Sequence, residues 1–119
     1  MSALCTNPVS RTRRLLGATA VALCIAAPAG FAVAAVAATT HTVAMDGTRF
    51  IPEALTVQRG DRVLWVNKDP FPHTATAAGT FDSNSIDAGH SWSYVASKTG
   101  QFPYVCTLHP GMKGVLVVQ

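Results

Sequence analysis

At 119 residues the chain has room for one domain. Its formal charge of +3 rests on Arg11, Arg13 and Arg14, because residues 38–119 balance six Lys and Arg against six Asp and Glu. That neutrality excludes a basic surface for nucleic acid or an anionic membrane from the larger part of the chain.

The first element in chain order is a leader. The three arginines are followed by a run without charge from Leu15 to Ala38, dominated by alanine. A positive segment, an apolar segment and small-residue sites at Ala32-Val33-Ala34 and Ala35-Val36-Ala37 form the pattern of an export signal. Residues 1–37 are therefore read as a signal peptide cut after Ala37 or close to it, and residues 38–119 as the mature domain. The run is long enough to span a bilayer, but Pro28 and Gly30 interrupt it, and an anchor ending at Ala38 leaves almost no linker before the domain. Arg13-Arg14 before Leu15-Leu16 also fits the twin-arginine route, which exports folded proteins.

From His41 onward the pattern is β. Strands are predicted at His41–Met45, Ala54–Gln58, Arg62–Asn67, His73–Ala77, Ser91–Ala96, Gly100–Cys106 and Val115–Val118. Val63, Trp65 and Asn67 alternate with Leu64 and Val66, as on a half-buried strand. Asp69-Pro70-Phe71-Pro72 ends that strand, since prolines donate nothing to a ladder. Gly79–Gly89 is polar and irregular and receives no element. Short strands with frequent turns predict an all-β sandwich.

Cleavage removes Cys5 and Cys24, leaving Cys106 as the lone cysteine of an exported domain. Such a cysteine is a free thiol, half of an intermolecular disulfide, or a metal ligand. A domain of about 80 residues has a thin core, and a metal is a useful staple there. Cys106-Thr107-Leu108-His109-Pro110-Gly111-Met112 sets a thiolate, an imidazole and a thioether three residues apart, between the end of one strand and the start of another. A second imidazole would complete the set. His73, 33 residues upstream of Cys106, is the candidate, with His41 and His90 as rivals. Two His, one Cys and a weak axial Met make the ligand set of blue-copper electron-transfer sites. Zinc gains nothing from a thioether, and iron–sulfur clusters need more cysteines. Trp65, Trp92, Tyr94, Phe102 and Tyr104 are read as core aromatics, and Asn67 and Asp69 as strand-end and turn residues.

The stretch from Tyr104 to Gly114 resembles the ligand loop of small cupredoxins, and Phe50-Ile51-Pro52, Gly60-Asp61, Trp65, Asn67, Asp69 and His73 fit the first half of that family. The Cys-x2-His-x2-Met spacing is similar to amicyanin more than to plastocyanin or pseudoazurin. The resemblance covers residues 41–119. It implies a Greek-key β-sandwich of about eight strands, with one type-1 copper on His73, Cys106, His109 and Met112. One departure stands out: Thr74 occupies a position where the family often has Asn, a residue that helps tie the two ligand loops together. The tie is expected to be altered but not lost, because a threonine hydroxyl still forms hydrogen bonds.

The function expected is that of an exported, periplasmic, monomeric electron carrier and not of an enzyme. Its partners would be redox proteins, such as an amine dehydrogenase or a cytochrome c. A multicopper oxidase or copper nitrite reductase is excluded by size. The alternative is a copper carrier that hands on Cu(I) without redox work. Such sites tend to be open and methionine-rich, whereas residues 38–119 contain only Met45 and Met112.

Overall fold

The computed structural model describes residues 26–119, so the leader read at 1–37 lies mostly outside the described residues. Nine strands follow in chain order: β1 (Thr40–Asp46), β2 (Arg49–Ile51), β3 (Ala54–Val57), β4 (Arg62–Asn67), β5 (Thr76–Ala77), β6 (Phe81–Asp82), β7 (Ser91–Val95), β8 (Gly100–Val105) and β9 (Lys113–Val118). They form two sheets, β2-β1-β4-β7 and β3-β9-β8-β5-β6. The chain passes repeatedly from one sheet to the other. As a result β1 runs parallel to β4 and β3 parallel to β9, while the other pairs are antiparallel.

Period-two patterning builds the interior. Val43 and Met45 on β1, Val63, Trp65 and Asn67 on β4, Tyr104 on β8, and Leu116 and Val118 on β9 are all buried. Their neighbours along each strand turn outward, which is what a sheet with one apolar face requires. The centre is aromatic: Tyr104 meets Phe50 edge-on at 4.6 Å and Trp65 at 5.5 Å. Gly114 makes room for it. A Cβ at that position would lie 2.6 Å from both Cζ and Oη of Tyr104.

Three expectations differ in detail. β2 pairs with β1 across a tight turn at Gly47-Thr48, both at positive φ, and β6 lies inside the polar stretch left without an element. Strands of two or three residues are too short to show alternation. In the segment His73–Ala77 only Thr76 and Ala77 belong to a strand. His73 instead forms an isolated bridge with Ile86, donating N–H to its carbonyl at 3.1 Å and accepting from its N–H at 2.7 Å.

Asp61 fastens the start of β1 to the β3–β4 turn. Its carboxylate accepts from Thr39 N–H at 2.9 Å and Gln58 N–H at 3.1 Å, and lies 2.9 Å from His41 Nε2. The Thr39 amide, then His41 and the Gln58 amide, hold its pKa below the ordinary carboxylate value.

Candidate metal centre

His73, Cys106 and His109 come together at one end of the sandwich. Cys106 directly follows β8 and is buried; His73 has no exposed surface; His109 is half-buried. Cys106 Sγ lies 3.6 Å from His73 Nδ1 and 3.6 Å from His109 Nδ1, and the two Nδ1 atoms are 3.1 Å apart. A triangle with those sides has its centre about 2 Å from each corner, the length of a metal bond to imidazole nitrogen. These are the residues among those described whose donor atoms cluster closely enough to hold a metal ion. Met112 is buried on the same loop. Of the two rivals, His41 is bonded to Asp61 and His90 is exposed, and neither is in the cluster.

The ligand loop closes on its own backbone. Cys106 N–H donates to the Met112 carbonyl at 3.0 Å, and Met112 N–H to the His109 carbonyl at 3.2 Å. Gly111 sits between them at φ +85°, where a side chain would be strained. Closing the loop this way turns residues 106–112 into a compact bracket.

The upstream side is held by imported groups. Asn67 is buried and spends its whole amide: Nδ2 donates to the carbonyls of Phe71 at 2.8 Å and Ile86 at 2.9 Å, while Oδ1 accepts from Asp69 N–H at 2.9 Å. Asp69 Oδ2 lies 2.7 Å from His73 Nε2 and also accepts from Thr48 N–H at 2.9 Å, while Oδ1 accepts from Gly47 N–H at 2.8 Å. Burial pushes its carboxyl up, but the Thr48 amide, His73 and the Gly47 amide outweigh it and lower the pKa overall. A carboxylate only accepts, so Nε2 of His73 carries the proton and Nδ1 presents a lone pair to the cluster. The donor set therefore fits a soft, imidazole-loving ion, with its tautomer fixed from behind.

Thr74 joins the two halves. Its N–H points at Cys106 Sγ at 3.3 Å, and its hydroxyl accepts from Thr107 N–H at 2.9 Å. The loop tie expected to survive in altered form is thus present. Asn67 and Asp69, read from the sequence as strand-end and turn residues, and Thr107 belong to the surroundings of the site. The signal for Asp69 was its place four residues before the histidine; for Asn67 it was a polar residue in phase with Val63 and Trp65.

Around the half-buried imidazole the surface is apolar. The Phe71 ring lies 5.2 Å from both His73 and His109 and is 38% exposed, and Leu108 is 49% exposed. Pro72, Pro110 and Gly111 are exposed beside them.

Comparisons with known proteins agree with this geometry. Residues 15–118 match the sequence model of the Cupredoxin-like domain. Amicyanin from Paracoccus denitrificans is 29% identical over 87% of this chain and 83% of its own length. Chloroplastic plastocyanin from Chlamydomonas reinhardtii is 29% identical over the whole of both chains. Among solved structures, the Cu(I) form of an amicyanin mutant superposes with a TM-score of 0.65 at 29% identity, over 75% of this chain and 90% of that one. A copper-containing nitrite reductase from Thermus scotoductus SA-01 gives 0.62 at 29% identity, but the match spans only 22% of that enzyme.

Proposed function

The chain belongs to the cupredoxin family, and from that premise we propose that it is an exported carrier of single electrons, using one copper ion that His73, Cys106, His109 and Met112 would hold. The observation that supports this most is the convergence of Cys106 Sγ and the Nδ1 atoms of His73 and His109 on a single point. What copper supplies when bound is a one-electron couple between Cu(II) and Cu(I), with no substrate bond made or broken. The protein's part is to hold the ligands still. Asp69 fixes the His73 ring, the Thr74 amide faces the thiolate, and the loop's own hydrogen bonds fix His109. Burial of His73, Cys106 and Met112 keeps water from those three side chains.

His109 is the half-exposed member and serves as the electron port. The rim of Phe71, Leu108 and Pro110 offers a redox protein a small apolar contact, suited to brief encounters. An amine dehydrogenase or a cytochrome c is a partner of the right class. The leader at 1–37 directs export to the periplasm and is cut away, leaving a domain from residue 38 that acts as a monomer.

The test is a pair of visible and paramagnetic-resonance spectra, of the wild type and of Met112→Ala. An intense thiolate-to-copper band that ascorbate bleaches, with parameters altered in the variant, is the expected result. A colourless copper-loaded protein would overturn the proposal in favour of a copper carrier without redox work.

A further inference from the structure

A chain of hydroxyls leads from the ligand loop to the protein surface. Thr107 N–H donates to Thr74 Oγ1 at 2.9 Å, and the hydroxyl oxygens of Thr74 and Thr107 are 3.1 Å apart. Thr76 Oγ1 donates to Thr74 Oγ1 at 3.0 Å and stands 3.1 Å from Asp82 Oδ1. The same carboxylate oxygen accepts from Asn84 N–H at 2.9 Å. Thr74 is buried, Thr76 half-buried and Asp82 exposed, so the chain runs outward from the site.

Counting hydrogens orders it. A hydroxyl has one hydrogen and two lone pairs. Thr74 Oγ1 spends its lone pairs on Thr107 N–H and Thr76 O–H, which leaves its hydrogen for Thr107 Oγ1. Thr76 has one hydrogen for two acceptors, so the Asp82 carboxylate competes with Thr74 Oγ1 for it. The backbone does little of this work. β5 has only two residues, with a single residue pair to β8 and two to β6. What these side chains hold matters to the metal centre, because the Thr74 amide faces Cys106 Sγ and Thr107 follows Cys106 directly.

We propose that Thr76 and Asp82 are positioning residues for the metal centre, acting through the Thr74 hydroxyl on the Thr107 amide and on the N–H that faces the Cys106 thiolate. The proposal rests on the copper-carrier reading for its redox consequence and on geometry alone for its structural one. An N–H donor favours the state in which sulfur holds more negative charge, which is the reduced one. Loosening Thr74 therefore lowers the reduction potential.

The experiment compares wild type with Thr76→Val, Thr76→Ser and Asp82→Ala, using Thr74→Val as the benchmark. Amide exchange at Thr107 is read in the metal-free protein, and reduction potential and thiolate band in the copper-loaded one. Thr76→Val keeps the β-branched shape and should speed Thr107 exchange by about 2–10-fold, the equivalent of one net hydrogen bond, and lower the potential. Asp82→Ala leaves the Thr76 hydrogen to Thr74 alone and should act in the opposite direction, slowing Thr107 exchange and raising the potential, while Thr76→Ser should keep both readings at wild type. Unchanged exchange of the β8–β9 amides shows that the fold is intact. The proposal is overturned if Thr76→Val leaves Thr107 exchange and potential at wild-type values, or if Asp82→Ala does no more than Asp87→Asn, a plain change of surface charge. A colourless wild type would remove the copper reading, and Thr107 exchange in the metal-free protein would then decide the positioning claim by itself.

Discussion

The two halves of the metal centre are built on opposite plans. The downstream half, residues 106–112, is a short loop that closes on its own backbone and leaves His109 half-exposed. The upstream half, residues 67–74, makes no such closure. His73 is fully buried; Asp69 holds its ring and the Ile86 backbone its main chain, while Asp69 is itself held by the Gly47 and Thr48 amides between β1 and β2. One half can be specified by spacing in the chain; the other exists only once the sandwich has assembled around it. The difference also divides labour. The imported scaffold holds a ligand away from water, and the self-closed loop presents one to a partner.

The largest way to test that division is at their junction. Cys106→Ser should abolish the intense visible band outright, since no other cysteine of residues 38–119 can supply the thiolate; a surviving band would mean that the site lies elsewhere. Next, Asp69→Ala should weaken copper affinity by about 10–100-fold, measured by competition with a chelator, because it frees the His73 ring. An unchanged affinity would show that the upstream scaffold is idle. Phe71→Ala sharpens the other side. Copper affinity should stay within about threefold of wild type, while docking to a cytochrome c loses about 1–2 kcal/mol, read from the second-order rate of electron transfer. A large fall in affinity instead would give Phe71 the same duty as Asp69.

The plans also explain how much could be read from the sequence. Cys106 and His109 were legible because they lie three residues apart in one short loop. The long strands were legible because alternation over five or six residues marks an inward face, as on β4. Asp69 was not, because Asp-Pro-Phe-Pro reads as a turn and nothing local says that the carboxylate reaches a histidine and two amides of a distant hairpin. Asn67 shows the same limit: its phase with Val63 and Trp65 placed it inside, but its three partners belong to segments the alternation cannot order. β2 and β6 escaped because two or three residues carry no period.

Two smaller effects complete the comparison. Asp61 lies apart from the cluster, and its pKa is lowered on folding by the Thr39 amide, His41 and the Gln58 amide. A carboxylate with a depressed folded pKa adds stability above its unfolded value, and that contribution fades as pH falls through the folded one. Acid unfolding of the metal-free protein should therefore begin near and below pH 4 (roughly the unfolded carboxylate value), and Asp61→Asn should flatten that limb. An acid limb unchanged in the variant would assign it to other groups. Smallest of all is the effect of salt. With six positive and six negative residues in 38–119, the rate of electron transfer to a partner should depend weakly on ionic strength. A steep fall in stopped-flow rate on adding salt would indicate a charged docking face in place of the apolar rim.

The position of β9 has a consequence for how the chain is made. β9 follows the ligand loop in sequence, yet it lies between β3 and β8 in its sheet. While the polypeptide is being synthesised, β3 waits without a neighbour until some sixty residues more have emerged, and every residue of the copper loop is among them. A nascent chain stalled anywhere before Lys113 therefore lacks β9 and leaves β3 unpaired in that five-stranded sheet. Pairings this far apart in the chain are slow to close, so this sheet is completed last.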